Sequence, residues 1–362
     1  MQNVLITGGA GFIGSNFVRY LLASDAQVRV TNLDALTYSG SLENLPELPN
    51  PHNYPFVKGD ICDADLVRRL LRERAIDTIV HFAAETHVDR SILLPGQFVQ
   101  ANIVGTFTLL EAARQVWLQD ASISKEKVRF HHISTDEVFG SLAAGEPAWN
   151  ESAAYAPNSP YAASKAASDH LVRAYGHTYG LPYTLTNCSN NYGPCQFPEK
   201  LVPLMILNAL AGQPLPIYGD GKQVRDWLYV EDHCAAIGLV LRRGRVGESY
   251  NVGGNCQPTN LEIVDILCDI LDELQPASPF IPHSKLKELV ADRPGHDRRY
   301  AMNTAKISRE LGWQPAHDLR SGLLKTVRWY LEHPAWVEII RKQKDYQVWL
   351  EKNYTGRVEG QK

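Results

Sequence analysis

The sequence predicts an α/β protein, a doubly wound parallel sheet joined to a smaller mixed α/β C-terminal domain. Two observations carry that expectation. Short apolar strands alternate with helical stretches through the first half, and the texture changes near residue 190, where proline, loop dipeptides and charges increase. A third refines it: "DWLYVEDHCAAIGLVLRRG", far downstream, reads as a strand and helix that return to the sheet.

The elements follow in order. "NVLIT" is a strand, "GSNFVRYLLAS" a helix and "VRVTNLD" a second strand. "PFVKGD" and "DTIVHFAA" are strands on either side of the helical "DADLVRRLLRER". A helical "NIVGTFTLLEAARQVWL" leads to the strand "VRFHHIST". A long helix over about 161–179 precedes the apolar segment "YTLTNC". Strands separated by helices at this spacing need right-handed crossovers, which build a parallel sheet. Beyond residue 190, "TNLEIVDILCDILDELQ" has apolar residues at helical spacing behind a Thr that can cap it. The expected division is 1–187 plus a return segment at about 226–252 for the sheet domain, 188–225 and 253–345 for the second, and 346–362 as a frayed tail.

Composition excludes several classes. The 362 residues are 44% hydrophobic and 21% charged, with a net charge of −4 and scattered Lys and Arg, so no basic footprint for nucleic acid or anionic membrane exists. No apolar run approaches a membrane span. The N-terminus "MQNVLITGGAGFIG" enters a strand at once, without the basic and apolar regions of a secretory signal. The six cysteines form no CxxC pair and read as reduced thiols packed as small hydrophobes, which places the chain in the cytoplasm. No metal site is expected.

"TGGAGFIG" spaces Gly8, Gly11 and Gly14 three apart between a strand and a helix, and Gly9, Gly11 and Gly14 satisfy GxGxxG. Glycines there allow a tight turn and bring backbone N–H groups and a helix N-terminus to a pyrophosphate. Asp34, twenty residues beyond Gly14, ends the second strand and can accept hydrogen bonds from both ribose hydroxyls. This is a Rossmann dinucleotide site. Asp34 repels a 2′-phosphate and "DALTYSG" offers no Arg or Lys, so NAD is expected over NADP. Phe12, Ile13 and Thr37 belong to the same expected set. Asp60 and Ile61 would flank the adenine, and Phe82, Ala83 and Ala84 follow the fourth strand beside the cofactor's middle.

In "SPYAASKAASDHLVRAYG", Tyr161 and Lys165 are four apart and share one helix face. An ammonium beside a phenol, near a cationic nicotinamide, favours phenolate and lowers the tyrosine pKa. Such a tyrosine can take the proton of a secondary alcohol as its hydride leaves. "ISTDEVFG" ends the preceding strand with two adjacent acids, Asp136 and Glu137, at the sheet edge where α/β folds bind ligands. Adjacent acids more often mark a turn or a helix start, but the neighbouring "ST" and YxxxK favour a proton-transfer pair. An extended strand would send them to opposite faces, so the backbone must turn between them.

Together "AAETHVDRSI", "STDEVFG", "YAASKAASDHLVRAYGHTYGLP", "NCSNNYGPCQFPEKLVPL", "QVRDWLYVEDH" and "DRPGHDRRYA" resemble the extended short-chain dehydrogenase/reductases that act on nucleotide sugars, and within them the dTDP-glucose 4,6-dehydratase family. The resemblance runs in order from residue 4 to about 330. It implies oxidation of the sugar at C4 with transfer of hydride to NAD, loss of the C5 proton and the C6 hydroxyl, and return of hydride to C6. It implies Tyr161 as the base at C4, Lys165 as its partner, Thr135 as hydrogen-bond partner of the C4 oxygen, Asp136 as acid and Glu137 as base.

The same resemblance implies a nucleotide-diphosphate sugar pocket, with dTDP-glucose favoured, lined by Thr86, Asn190, Glu199, Lys200, Leu201, Pro216, Tyr218, Arg225, Asn260, Arg293 and His296. Guanidinium groups such as Arg225 and Arg293 suit phosphate oxygens. Asn191 is implied at the nicotinamide end. Three residues depart from the family's pattern: Phe139 where Tyr is usual, Ala101 where Thr is common, and Cys195 at a position commonly aromatic. His81, His87, His131 and His132 are expected to be structural. The helices starting near Asn102 and Tyr161 carry more apolar surface than one sheet face needs, and relatives pair such helices, so a homodimer is expected.

Two other readings remain open. A UDP-sugar 4,6-dehydratase would share all of this chemistry, and a 4-epimerase would share the hydride step without needing "TDE". A non-catalytic NAD-binding regulator is a third, disfavoured by the intact Tyr161, Lys165, Asp136 and Glu137.

Overall fold

The computed structural model describes residues 1–121, 123–292, 295–343 and residue 346. Chain order runs β1 (Asn3–Thr7), α1 (Phe12–Ser24), β2 (Arg29–Asp34), β3 (Phe56–Lys58), α2 (Ala64–Glu73), β4 (Thr78–His81), α3 (Val88–Leu93), α4 (Pro95–Phe98), α5 (Gly105–Ala113) and β5 (Arg129–Thr135). It continues with α6 (Pro160–Tyr179), β6 (Tyr183–Cys188), β7 (Asn190–Tyr192), α7 (Leu201–Leu210), β8 (Leu215–Tyr218), β9 (Trp227–Tyr229), α8 (Val230–Arg243) and β10 (Ser249–Val252). The last elements are α9 (Asn260–Leu274), β11 (Lys287–Val290), α10 (Ala305–Leu311), α11 (Leu319–Glu332) and α12 (Pro334–Arg341).

Seven strands form one sheet in the order β10-β6-β5-β4-β1-β2-β3, every pair parallel. The order reverses between β1 and β4, so the loops leaving their carboxyl ends diverge and open a crevice there. Thr7 is level with His81, and β5 runs on to Thr135, level with Cys188 of β6. The predicted dinucleotide turn and the predicted acid pair therefore share one edge of the sheet.

Alternation along each strand explains the two layers. Val4 and Ile6 of β1 pack with Phe17 and Leu21 of α1 and Ile237 of α8, whereas Leu5, between them, joins Val67 of α2, Leu109 of α5 and Val172 of α6 on the opposite face. Burying each such side chain contributes about 1.5–3 kcal/mol. A further core gathers Tyr192, Ile206, Ile217, Trp227, Ile263, Leu267, Leu323 and Tyr330 from the C-terminal elements. Thr259 caps α9 with a reciprocal bond to Glu262, as its sequence suggested.

Two expectations need correction. Trp227–Tyr229, read as the strand that rejoins the sheet, pairs instead with β7 in a separate two-stranded sheet; the strand that completes the seven is β10, beside β6. A three-residue apolar run carries no periodicity that tells one sheet from another. The helix expected from Asn102 begins earlier, at Pro95, and continues through π-helical segments at Val99–Val104 and Arg114–Gln119. Pro suits a helix's first turn, and no second proline follows before Gln119. The tail expected at 346–362 lies outside the described residues, apart from Tyr346.

Candidate active site

A cavity of about 780 Å³ lies along the carboxyl edge of the sheet and reaches from the β1–α1 turn to α7. Its nucleotide end is shaped by steric need. Gly8 has φ +73°, and a Cβ there would sit 2.6 Å from the Ala83 nitrogen; a Cβ on Gly14 would sit 2.2 Å from the Gly8 oxygen. Only glycine keeps this turn open. Helix α1 starts behind Gly11 with no side-chain cap, which leaves its first N–H groups for a ligand.

Asp34 accepts hydrogen bonds from Ala10 N and Leu36 N, each at 2.8 Å. Burial raises its pKa and the two amides oppose that rise. Gly11, Phe12, Ile13, Thr37, Asp60, Ile61, Phe82, Ala83 and Ala84 line the same end. A Cβ-free cradle, an uncapped helix start and a fixed carboxylate together fit a dinucleotide.

At the other end the backbone does turn between the two acids. Thr135 is extended, and Asp136–Phe139 form a single 3-10 turn closed by Gly140 at φ +87°. Thr135 Oγ1 accepts from Glu137 N at 3.3 Å and donates to Asp136 Oδ1 at 3.2 Å. Asp136 is 2% exposed, and among the described residues its buried Oδ2 has no hydrogen-bond partner. Burial first, then the Glu137 and Asp226 charges, hold its pKa well above the usual carboxylate range. Asp226 is itself pushed up by burial to about 7.

The sign of this shift is testable. An unfolded Asp ionises near pH 4, whereas the folded Asp136 keeps its proton, so stability is lost as pH rises above the unfolded value. Each tenfold rise in proton affinity costs about 1.4 kcal/mol once pH exceeds both values. Asp136→Asn is therefore expected to melt higher than wild type, with the gap widening as pH rises above 4. Parallel melting-temperature curves across pH would refute the assignment.

Helix α6 starts at Pro160 behind Ser159, whose hydroxyl accepts from Ala162 N, and this places Tyr161 and Lys165 one turn apart on the cavity wall. Their chemistry departs from expectation. Lys165 Nζ donates to Ile133 O at 2.8 Å and lies 3.4 Å from His132 Nε2, and burial lowers its pKa to about 8. The Tyr161 phenol is raised well above its usual value by burial, Glu137, Cys188 and Asp136, and the hydrogen bond with Thr135 pulls it down. A buried phenol facing two acids, with the lysine tied to a strand carbonyl, stays protonated in the protein alone.

The expected structural histidines are so placed: His81 bridges Thr7 and Thr106, His131 meets Thr184, and His87 accepts from Arg90 N at the start of α3. His132 Nε2 lies 3.2 Å from Asp169 Oδ1 beneath Lys165, and burial and the lysine charge lower it to about 4. Phe139 stacks on Trp149 at 5.6 Å and meets the edge of Tyr155 at 5.2 Å, in a buried cluster with Val138, Ala166 and Met302. The departure from Tyr thus sits in an apolar plug under the acid-bearing turn.

Thr86, Asn190, Asn191, Glu199 and Lys200 line the remaining wall. Lys200 Nζ donates to Thr86 O, and Glu199 accepts from Arg90 Nε at 3.2 Å. Leu201, Pro216, Tyr218, Arg225, Asn260 and His296 are not brought to this lining. Arg225 is buried, donates to the carbonyls of Val224 and Asp297 and stacks 4.2 Å over Tyr300; His296 Nδ1 meets Asp292 Oδ1 at 2.6 Å. Arg293 lies outside the described residues.

Sequence reasoning missed His233. Its Nδ1 lies 2.9 Å from Asn191 Oδ1, while Asn191 Nδ2 donates to Ser189 O at 2.9 Å, which fixes the amide's orientation at the cavity. The signal available was a histidine in the first turn of a buried helix. Arg90 and Tyr38 were also missed; the Arg90 guanidinium stacks 3.9 Å over the Tyr38 ring at the cavity wall.

Comparison with known proteins shows the family. The family model for GDP-mannose 4,6 dehydratase matches residues 5–326. A dTDP-glucose 4,6-dehydratase of Salmonella typhimurium is 52% identical over 98% of this chain and all of its own length. One from Xanthomonas campestris pv. campestris is 57% identical over 93% of this chain and 95% of its own. The crystal structure of a dTDP-glucose 4,6-dehydratase from Streptomyces venezuelae, solved with NAD bound, is 48% identical with a TM-score of 0.84, covering 94% of this chain and all of that one. By sequence over nearly its whole length, and by fold, the chain belongs to the dTDP-glucose 4,6-dehydratase family.

Proposed function

We propose that the protein converts dTDP-glucose to dTDP-4-keto-6-deoxyglucose and water, with NAD as its cofactor. The observation that carries this reading is the turn at Asp136–Phe139, which sets two adjacent carboxyl groups on the wall that also holds Tyr161. A 4-epimerase needs the tyrosine but has no use for the acid pair. Bound NAD supplies the acceptor for the C4 hydride and gives that hydride back at C6.

The protein's own residues handle the protons. Tyr161 takes the proton of the C4 hydroxyl, and the ketone so formed acidifies C5–H. Glu137 takes the C5 proton. Asp136, kept protonated by burial and by its anionic neighbours, gives its proton to the departing C6 hydroxyl. Thr135 orients the C4 oxygen, and Lys165 supplies positive charge close to the phenol once cofactor and sugar fill the cavity.

At the substrate's far end, Glu199, Lys200, Thr86 and Asn190 are the wall residues proposed to hold the nucleotide diphosphate sugar. Leu201, Pro216, Tyr218, Arg225, Asn260, Arg293 and His296 belong to this reading through the family resemblance. The division into a sheet domain and a sugar-binding domain is proposed on the same basis, and the separate C-terminal core supports it. We place the enzyme in the cytoplasm, a reading its six free thiols support. Among the described residues no helix is long and apolar enough to cross a membrane. Exposed Leu93, Leu94, Val99, Val104 and Phe107 form the apolar surface that supports a homodimer.

The test is direct. The purified protein is incubated separately with dTDP-glucose and UDP-glucose, and the 4-keto sugar is measured. Faster turnover of the dTDP sugar is expected. Formation of a C4 epimer, or preference for the uridine sugar, would replace this reading.

A further inference from the structure

One buried side chain joins the two ends of the sequence behind the cofactor turn. Asn44 closes a short 3-10 turn, Leu42–Asn44, and is 2% exposed. Its Nδ2 donates to Ala10 O at 2.8 Å. Its Oδ1 accepts from Trp336 Nε1 of α12, also at 2.8 Å and 292 residues away. The amide fits in one sense only, because a carbonyl accepts and an indole N–H donates. Ala10 lies between Gly9 and Gly11 of the dinucleotide turn and is fully buried behind the cavity lining.

We propose that Asn44 and Trp336 are positioning residues for the cofactor, a latch that ties the dinucleotide turn to the C-terminal core and sets how fast NAD is released. The inference rests on NAD as the cofactor and is independent of which sugar is turned over. Neither residue touches the cofactor; both act through Ala10.

Ala10 is tied on both sides. Its N–H donates to Asp34 Oδ2 at 2.8 Å, and its carbonyl accepts from Asn44 Nδ2 and from Ser41 N at 3.0 Å. The uncapped start of α1 follows directly, so whatever holds Ala10 also aims the first N–H groups of that helix. Between Asp34 and Asn44, residues 37–40 line the cavity. For that segment to swing away from a bound dinucleotide, the bonds from Ser41 and Asn44 must break, or the glycine turn must move with it. Opening a buried, fully paired amide leaves a donor and an acceptor without water, so the closed arrangement is favoured.

The far end of the latch is anchored. Trp336 is 7% exposed within the C-terminal core, edge-on to Trp329 at 5.0 Å and to Tyr330 at 5.9 Å. A phenylalanine could fill most of that space; the indole adds one N–H, and it is directed at the side chain that grips the turn. The lining segment reaches the same core at a second point, where Tyr38 meets Phe197 edge-on at 5.7 Å. Helix α12 thus bears on the cofactor end of the cavity through one amide, although it lines no part of it.

The test measures NAD release from the loaded enzyme. Released NAD is reduced in solution by added alcohol dehydrogenase and ethanol, and the rise in absorbance gives the rate. Trp336→Phe removes the indole N–H and is expected to speed release about fivefold or more, the worth of one buried hydrogen bond. Asn44→Leu keeps the shape and removes both bonds, and about tenfold or more is expected. The double variant should release no faster than Asn44→Leu, because both changes cut one chain. Trp329→Phe trims the same core without touching Asn44; it should lower the melting temperature and leave release within about twofold of wild type. Melting temperature verifies that each variant folds, and if Asn44→Leu does not, Trp336→Phe against Trp329→Phe decides the question. Wild-type release from Trp336→Phe and Asn44→Leu would overturn the latch. Equal acceleration in Trp329→Phe would overturn it too, in favour of a general loosening of the core. If the wild-type protein binds no NAD, the cofactor reading fails and the latch falls with it.

Discussion

Glu137→Gln is expected to abolish exchange of the sugar's C5 hydrogen with solvent and to lower turnover by about a hundred- to ten-thousand-fold, the usual worth of a general base. That loss corresponds to about 2.7–5.5 kcal/mol of transition-state stabilisation. The amide keeps the size of the side chain, and Glu137 N can still donate to Thr135 Oγ1. Oxidation at C4 does not use Glu137, so reduced-nicotinamide absorbance should rise on mixing and persist. The measurement is proton NMR of the sugar in deuterated water beside that absorbance. Unchanged C5 exchange would remove Glu137 from the elimination step.

Tyr161→Phe should stop the reaction one step earlier. The ring packs edge-on against Phe98 at 6.3 Å, so phenylalanine preserves the contact and removes only the hydroxyl. No group then receives the C4 proton, and reduced-nicotinamide absorbance should never appear. Turnover is expected to fall by a similar factor of about a hundred to ten thousand. The two variants are thus equally slow but differ in redox state, one holding reduced cofactor and the other oxidised. Reduced cofactor accumulating in Tyr161→Phe at the wild-type rate would assign the first base to another residue.

Legibility in the sequence followed how local each constraint is. The glycine turn was legible because Gly8 and Gly14 answer clashes inside one strand–turn–helix unit and at the adjoining strand. The acid pair was legible because a strand end and a helix start fix its place, and the required turn lies within four residues. What escaped depends on distant partners. His233 reaches Asn191 across 42 residues, and Arg225 is held by Asp297 O across 72. Spacing says nothing about such pairs. The Tyr161 pKa was misjudged for a related reason: four-residue spacing puts Lys165 on the same face, but where its ammonium points is decided by Ile133 O on another element. Phe139 made sense only once Trp149 and Tyr155 were seen around it.

The position of β10 governs how the protein can be made. Its residues, Ser249–Val252, lie more than sixty positions beyond the end of β6, the strand they pair with. While a ribosome is still translating that interval, the first six strands have emerged and one edge of the nascent sheet, along Tyr183–Cys188, has no neighbour. Open strand edges recruit other chains, and non-local pairing is slow to form. A product terminated near residue 200 should contain the whole glycine turn, the acid pair and Tyr161, yet aggregate rather than accumulate as a miniature enzyme. Vectorial synthesis therefore makes the late strand, which carries no catalytic residue, the step that decides whether the earlier ones remain soluble.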